Sequence, residues 1–259
     1  MKKYILLLLM CVTLCAQAQN ISTLSSEYVR TDIPENELRQ ARLLYDEGNY
    51  EMAEVILRKI AASPLVCSQK REAERLLTLI AYHRDAAKAG EAIERYLYAY
   101  PATPDVNRMR ALAMLSNYAQ GDYAAVIEAM QEVDPDQLSH EERDEVILAY
   151  AKAMMEEERY DEAAAQWRIL DIISEMYDDE VTFYTAYIDF INRKFDTARE
   201  GMEEMMDNAR FHRQARRYLA EIALETRDYA KAEALAVAYI DEYGATEPVT
   251  ELKRIQGEA

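Results

Sequence analysis

From about residue 36 onward, apolar positions recur at intervals of three and four, and the runs come in pairs. "EVILAYAKAMMEEE" and "VTFYTAYIDFINR" are first members of such pairs; "YDEAAAQWRILDII" and "YAKAEALAVAYIDEY" are second members. That spacing puts Ala, Leu, Ile, Met and Tyr on one face of each segment, so the pattern predicts amphipathic helices joined by tight turns.

The turns repeat. The aromatics Tyr50, Tyr123, Tyr160, Phe195 and Tyr229 are separated by 73, 37, 35 and 34 residues. The first gap is two periods, with the skipped turn near Ala86 and that segment's end at Tyr100-Pro101. A recurrence of this length signals a solenoid of helix pairs. Gly48 and Gly121 stand two residues before an aromatic, where the first helix must stop, and glycine accepts the left-handed conformation that stops it. Glu158, Arg193 and Arg227 occupy the same place in other turns, which are therefore expected to be costlier. Three residues after each marker comes a small side chain, Ala53, Ala89, Ala163, Ala198 or Ala232, with Val126 as the exception. Small residues there let the paired helices cross closely.

This pattern resembles the tetratricopeptide repeat (TPR) family, whose unit is a helix pair with Gly and Tyr at the turn and Ala in the second helix. The small residue in the middle of the first helix would be Ala41, Ala151, Ala186 and Ala220, and the bulky one in the second Leu57, Ile93, Trp167 and Met202. The family's early Trp is absent, and most units lack its terminal Pro. The resemblance implies an all-α, right-handed solenoid over residues 36–247, with units at about 36–67, 70–103, 107–139, 143–176, 179–210 and 213–245. "VTELKRIQGEA" then looks like the truncated start of a seventh unit at 248–259, with Gly257 at the small position; the expectation is the N-terminal segment of a longer array. The nearer likeness is to exported bacterial proteins carrying acidic arrays of such repeats.

Composition narrows the classes. Six Gly and six Pro in 259 residues are too few for the turns of an all-β protein, and the even spread of apolar residues argues against disorder. "MKKYILLLLMCVTLCAQAQN" has a basic start, a short apolar core and Ala16-Gln17-Ala18, which reads as a secretory signal peptide cleaved after Ala18. The rival, a lipoprotein signal acylated at Cys15, wants a small residue where Leu14 stands. Residues 19–35 are polar and expected to form a flexible lead-in. The chain is expected to be exported, most simply to a periplasm, with no membrane span. Without Lys2 and Lys3 the balance is 28 basic to 48 acidic residues, a net of −20, which repels nucleic acid. Cys67 is then the only cysteine, so no internal disulfide is expected.

No catalytic constellation stands out. His83, His140 and His212 fall in three different units and not at metal-ligand spacing; no phosphate loop or nucleophile elbow is present. Acid pairs such as Glu203-Glu204 fit solvated helix faces, and "NIS" at Asn20 is a bare sequon match. The expectation is a non-enzyme with no cofactor and no metal, binding a protein or peptide. In the family's register the first helices line a concave groove, and the residues placed there are Arg42, Tyr45, Leu115, Tyr118, Lys152, Phe183, Tyr187, Phe190 and Arg217, with Leu148 beside them. An aromatic ladder with a few cations suits an extended peptide or an amphipathic helix. The alternative is an extracytoplasmic sensory or cell-envelope module of a longer protein. Oligomeric state and partner identity are not legible.

Overall fold

The computed structural model describes residues 32–64, 68–244 and 250–258; the expected signal peptide, its cleavage site, most of the lead-in and Cys67 lie outside them. Thirteen α-helices follow one another among these residues, with one-turn 3-10 segments between some of them and no strand. They are α1 (Asp32–Asp46), α2 (Tyr50–Ala61), α3 (Ser68–Arg84), α4 (Gly90–Ala99), α5 (Val106–Gln120), α6 (Tyr123–Ala129), α7 (His140–Glu156), α8 (Tyr160–Ile173), α9 (Asp178–Ile191), α10 (Phe195–Glu204), α11 (His212–Glu225), α12 (Tyr229–Tyr243) and α13 (Thr250–Glu258). The chain divides into two compact units at Val106/Asn107.

α1 begins four residues before the expected start at 36, with Pro34 in its first turn, where a missing N–H costs nothing. Five turns are built alike. Gly48, Gly121, Glu158, Arg193 and Arg227 have φ of 75°, 76°, 57°, 59° and 64°. In each, this residue's N–H donates to the carbonyl three residues back, and the next N–H donates five back, as in Gly48 to Tyr45 and Asn49 to Leu44. That is the Schellman arrangement, which satisfies the last carbonyls of the first helix. The following residue starts the second helix, and its side chain caps it where chemistry allows: Asn49, Asp122 and Asp228 accept from the N–H three residues on. The skipped turn differs. Asp85 is extended, residues Ala86–Lys88 make a 3-10 turn, and α4 starts only at Gly90.

In the first unit α1 packs on α2 and α3, α2 on α3, and α3 on α4. In the second, α7 to α13 pack each on its successor, and α9 and α11 also meet the next but one. Three core clusters show the consequence. One joins α7, α8 and α9 around Trp167, the next α9, α10 and α11 around Phe183, Met202 and Phe211, the third α11, α12 and α13 around Tyr239 and Ile255. Each cluster borrows a helix from the one before, so no pair closes a core alone.

The small positions do what their size suggests. Ala53, Ala89, Val126, Ala163, Ala198 and Ala232 are all buried, as are Ala41, Ala151, Ala186 and Ala220. A β-carbon added to Gly201 of α10 would lie 2.7 Å from the Ala186 β-carbon of α9, which measures how closely that pair crosses. Two positions depart from the pattern. Tyr229 is 46% exposed, where the other four turn aromatics are partly buried. A methyl at Gly257 would meet nothing within 4 Å, so that glycine marks no close crossing.

Candidate functional site

Two of the expected groove residues are core. Phe183 stacks on Phe211 with centroids 4.5 Å apart and the planes 12° apart, and Leu115 is equally buried. The physical reason is that α9 and α5 bury side chains on more than one face, so polarity alone did not fix which apolar face stays open.

Tyr187 and Phe190, four and seven residues after Phe183, are only half-buried and belong to an aromatic series in the second unit. Tyr160, at the start of α8, lies 6.2 Å from Tyr187 of α9; Tyr187 lies 5.1 Å from Tyr218 of α11. Tyr218 lies 5.5 Å from Phe190, which lies 6.2 Å from Phe195 at the start of α10. The turn aromatics thus join the first-helix aromatics, because each follows directly on a first helix that ends in the same left-handed turn. Burial raises the phenol pKa values of Tyr160, Tyr187 and Tyr218; Tyr187 adds to the rise at Tyr160 and Tyr218 to that at Tyr187, where the hydrogen bond with Tyr160 acts the other way. These rings therefore present neutral hydroxyls and apolar faces at any physiological pH, a surface suited to stacking and single hydrogen bonds.

Cations border the series. The Arg217 guanidinium lies 5.4 Å over Tyr218, its Nε donating to Glu221 at 2.9 Å. Lys152 of α7 sits 5.9 Å over Tyr184, whose ring stacks on Trp167 at 4.7 Å. Burial, then repulsion from Arg210, pulls the Lys152 pKa down, while the nearby Glu180 pulls it up. Glu180 is buried and paired with Arg210. Tyr118 of α5 faces Tyr123 at 6.1 Å, its phenol pKa raised by burial.

In the first unit Arg42 is exposed and Tyr45 half-buried, and both have partners within the chain. Arg42 is tied to Glu72 at 3.1 Å, and Glu72 to Arg75 at 2.7 Å. Asp105 completes this network by accepting from Thr103 and Tyr96. Tyr45 shares a hydrogen bond with His83 at 2.9 Å, and His83 stacks on Tyr50 with planes 3° apart. These contacts join α1 to α3.

Sequence reasoning missed Tyr184, Tyr218, Arg210 and Arg213. One signal was in view: "ARFHRQARRY" puts four arginines within eight residues of an otherwise acidic chain. Among the described residues no group of three or more His, Cys, Asp and Glu is placed to hold a metal ion, and no helix is long and apolar enough to cross a membrane.

No family model matches the chain, and no curated protein matches it. Solved structures do. PilF of Pseudomonas aeruginosa is similar with a TM-score of 0.57 at 16% identity, over 89% of this chain and 99% of that one. The TPR domain of P58(IPK) is a looser likeness, with a TM-score of 0.42 at 16% identity over 90% of this chain and 67% of that one. The fold is a tetratricopeptide-repeat solenoid. In the solenoid the five left-handed turns and the buried alanines are the repeating parts, and the aromatic series with its cations is what varies from one helix pair to the next.

Proposed function

We propose that this chain is a non-catalytic exported scaffold that holds a partner protein by an extended peptide or an amphipathic helix, laid along the aromatic face of the second unit. The observation that carries the reading is the half-buried series Tyr160, Tyr187, Tyr218 and Phe190, bordered by Arg217. Rigid aromatics lose little side-chain freedom on binding and offer large contact area, which is why they dominate binding hot spots. The solenoid fold supports it, since stacked pairs present their first helices along one side. Export rests on the signal-like N-terminus, and N-terminal sequencing of the protein from its own cells tests it: Gln19 as first residue supports cleavage after Ala18, while an intact Met1 or an acylated Cys15 contradicts it.

The binding claim is tested by co-purification from the same cells. Tyr187→Ala with Phe190→Ala should lose the partner while the helical circular dichroism is kept. Retention of the partner by that variant contradicts the proposed face. Ala151→Gly is the control for core damage, because Ala151 is fully buried in the α7–α9 core and has no part in the aromatic series.

A further inference from the structure

We propose that the outer face of α8 pairs with the same face of a second copy of this chain, the two helices lying antiparallel across a two-fold axis. α8 buries Ala163, Trp167 and Leu170 in the core it shares with α7 and α9. On the side opposite such a face a surface helix ordinarily turns polar side chains to water. Here that side carries Ala165, Ile169 and Ile172, whose spacings of four and three form one stripe along the helix. Ile169 is 41% exposed, Ile172 81%, and Ala165 is exposed as well. Met176, in the 3-10 turn Glu175–Tyr177 just beyond the helix, is 75% exposed. Large apolar side chains left in water as a group mark an interaction surface. None of these residues belongs to the aromatic series, so the inference stands apart from the groove reading.

Apolar residues at alternating spacings of four and three are the seam of paired helices, with charges flanking it. In a two-fold pair, residue i of one copy meets j of the other, and j meets i. Two antiparallel registers are open to the stripe. Setting Ile169 against Ala165 of the second copy puts Ile172 over Glu162, which is already tied to Arg159, and opposes Arg168 to Arg168. Setting Ile169 against Ile172 removes both faults. The end of one α8, with Met176 beyond it, then lies over the small Ala165 of the other, and each Arg168 faces Glu175 of the second copy. Arg168 and Glu175 are exposed, and neither has an ion-pair partner among the described residues. Arg168 is the one cation of α8, whereas Asp171, Glu175, Asp178 and Asp179 are exposed around its C-terminal end, where the helix carbonyls add partial negative charge. A matching partner must bring a cation to this acidic end and an acid to Arg168. A second copy turned end for end supplies both.

A seam one helix long falls at the small end of stable interfaces, so a dissociation constant on the order of 10–100 µM is expected. Sedimentation equilibrium of the intact chain should show monomer and dimer in that range, with a thiol reductant present so that no cysteine joins two copies. Ile172→Glu should weaken the dimer at least about tenfold and leave the helical circular dichroism unchanged, because this side chain lies in water in the single copy. Arg168→Glu and Glu175→Arg should each weaken it, and the two together should restore most of the affinity, since the exchanged charges attract again. A chain that stays monomeric up to about 1 mM, a dimer indifferent to Ile172→Glu, or a double exchange no tighter than the single ones would each overturn the assignment. So would a monomeric chain whose Ile172→Glu variant loses a different co-purifying protein, which would give the stripe to that partner.

Discussion

At the level of single residues, the turns give the sharpest predictions. A left-handed conformation costs a residue with a β-carbon about 1–2 kcal/mol, and glycine's extra unfolded-state freedom returns about 0.5–1 kcal/mol of that. Glu158→Gly should therefore stabilise the protein by about 0.5–1 kcal/mol, and Gly48→Ala should destabilise it by a similar amount, read from urea unfolding midpoints. The Gly48 cost is pure backbone strain, because an added β-carbon there meets nothing within 4 Å. Gains and losses of the opposite sign would mean that these φ values are not what the sequence position dictates. Glu72 supplies a pH prediction. Burial pushes its carboxyl up, but the pairs with Arg75 and Arg42 outweigh that and hold it below its ordinary 4.5. A carboxyl depressed in the folded state adds stability above its unfolded pKa and loses it as pH falls through the folded one. Stability should thus fall as pH drops below 4.5, and Glu72→Gln, though less stable at pH 7, should show a shallower fall.

At the level of helices, the close crossing of α9 and α10 is testable through Gly201. Alanine gains about 1 kcal/mol of helix propensity over glycine, but an added β-carbon 2.7 Å from that of Ala186 forces overpacking of about 1–3 kcal/mol. A net loss of about 1 kcal/mol is expected for Gly201→Ala, partly relieved when Ala186→Gly is added. A neutral or stabilising effect would mean that the pair crosses more loosely. Ser139 is the second case. It caps α7 with a full capping box shared with Glu142, and Ser139→Ala should cost about 1 kcal/mol by thermal unfolding. The elements themselves were legible in the sequence because caps, left-handed stops and small crossing residues act locally. Gly48, Gly121, Glu158, Arg193 and Arg227 all stand where the repeat of aromatics put the turn. The open faces were less legible. Phe183 and Tyr184 are adjacent and both apolar, and only packing against α11 decides that Phe183 meets Phe211 while Tyr184 lies on Trp167.

At the level of the whole molecule, the core clusters of the second unit share helices in series, so damage should spread to neighbours and fade with distance. Trp167→Ala, which empties the centre of the α7–α9 cluster, should cost about 3–5 kcal/mol. Hydrogen exchange should rise more in α7–α9 than in α12, and uniform loss across the second unit would contradict a serial array. Function was legible only as a class. The proposals of export and of peptide holding rest on the N-terminal pattern and on the repeat, and neither pattern names a partner.

The most direct test of the central claim is site-specific photo-crosslinking in the cells that make the protein. A photoreactive phenylalanine analogue replaces Tyr187 on the aromatic face or, as control, Ile172 of α8, which is 81% exposed. A scaffold that grips its partner on the aromatic face should give one discrete crosslinked species from position 187 that position 172 does not give. The same species from both positions, or from 172 alone, would contradict it.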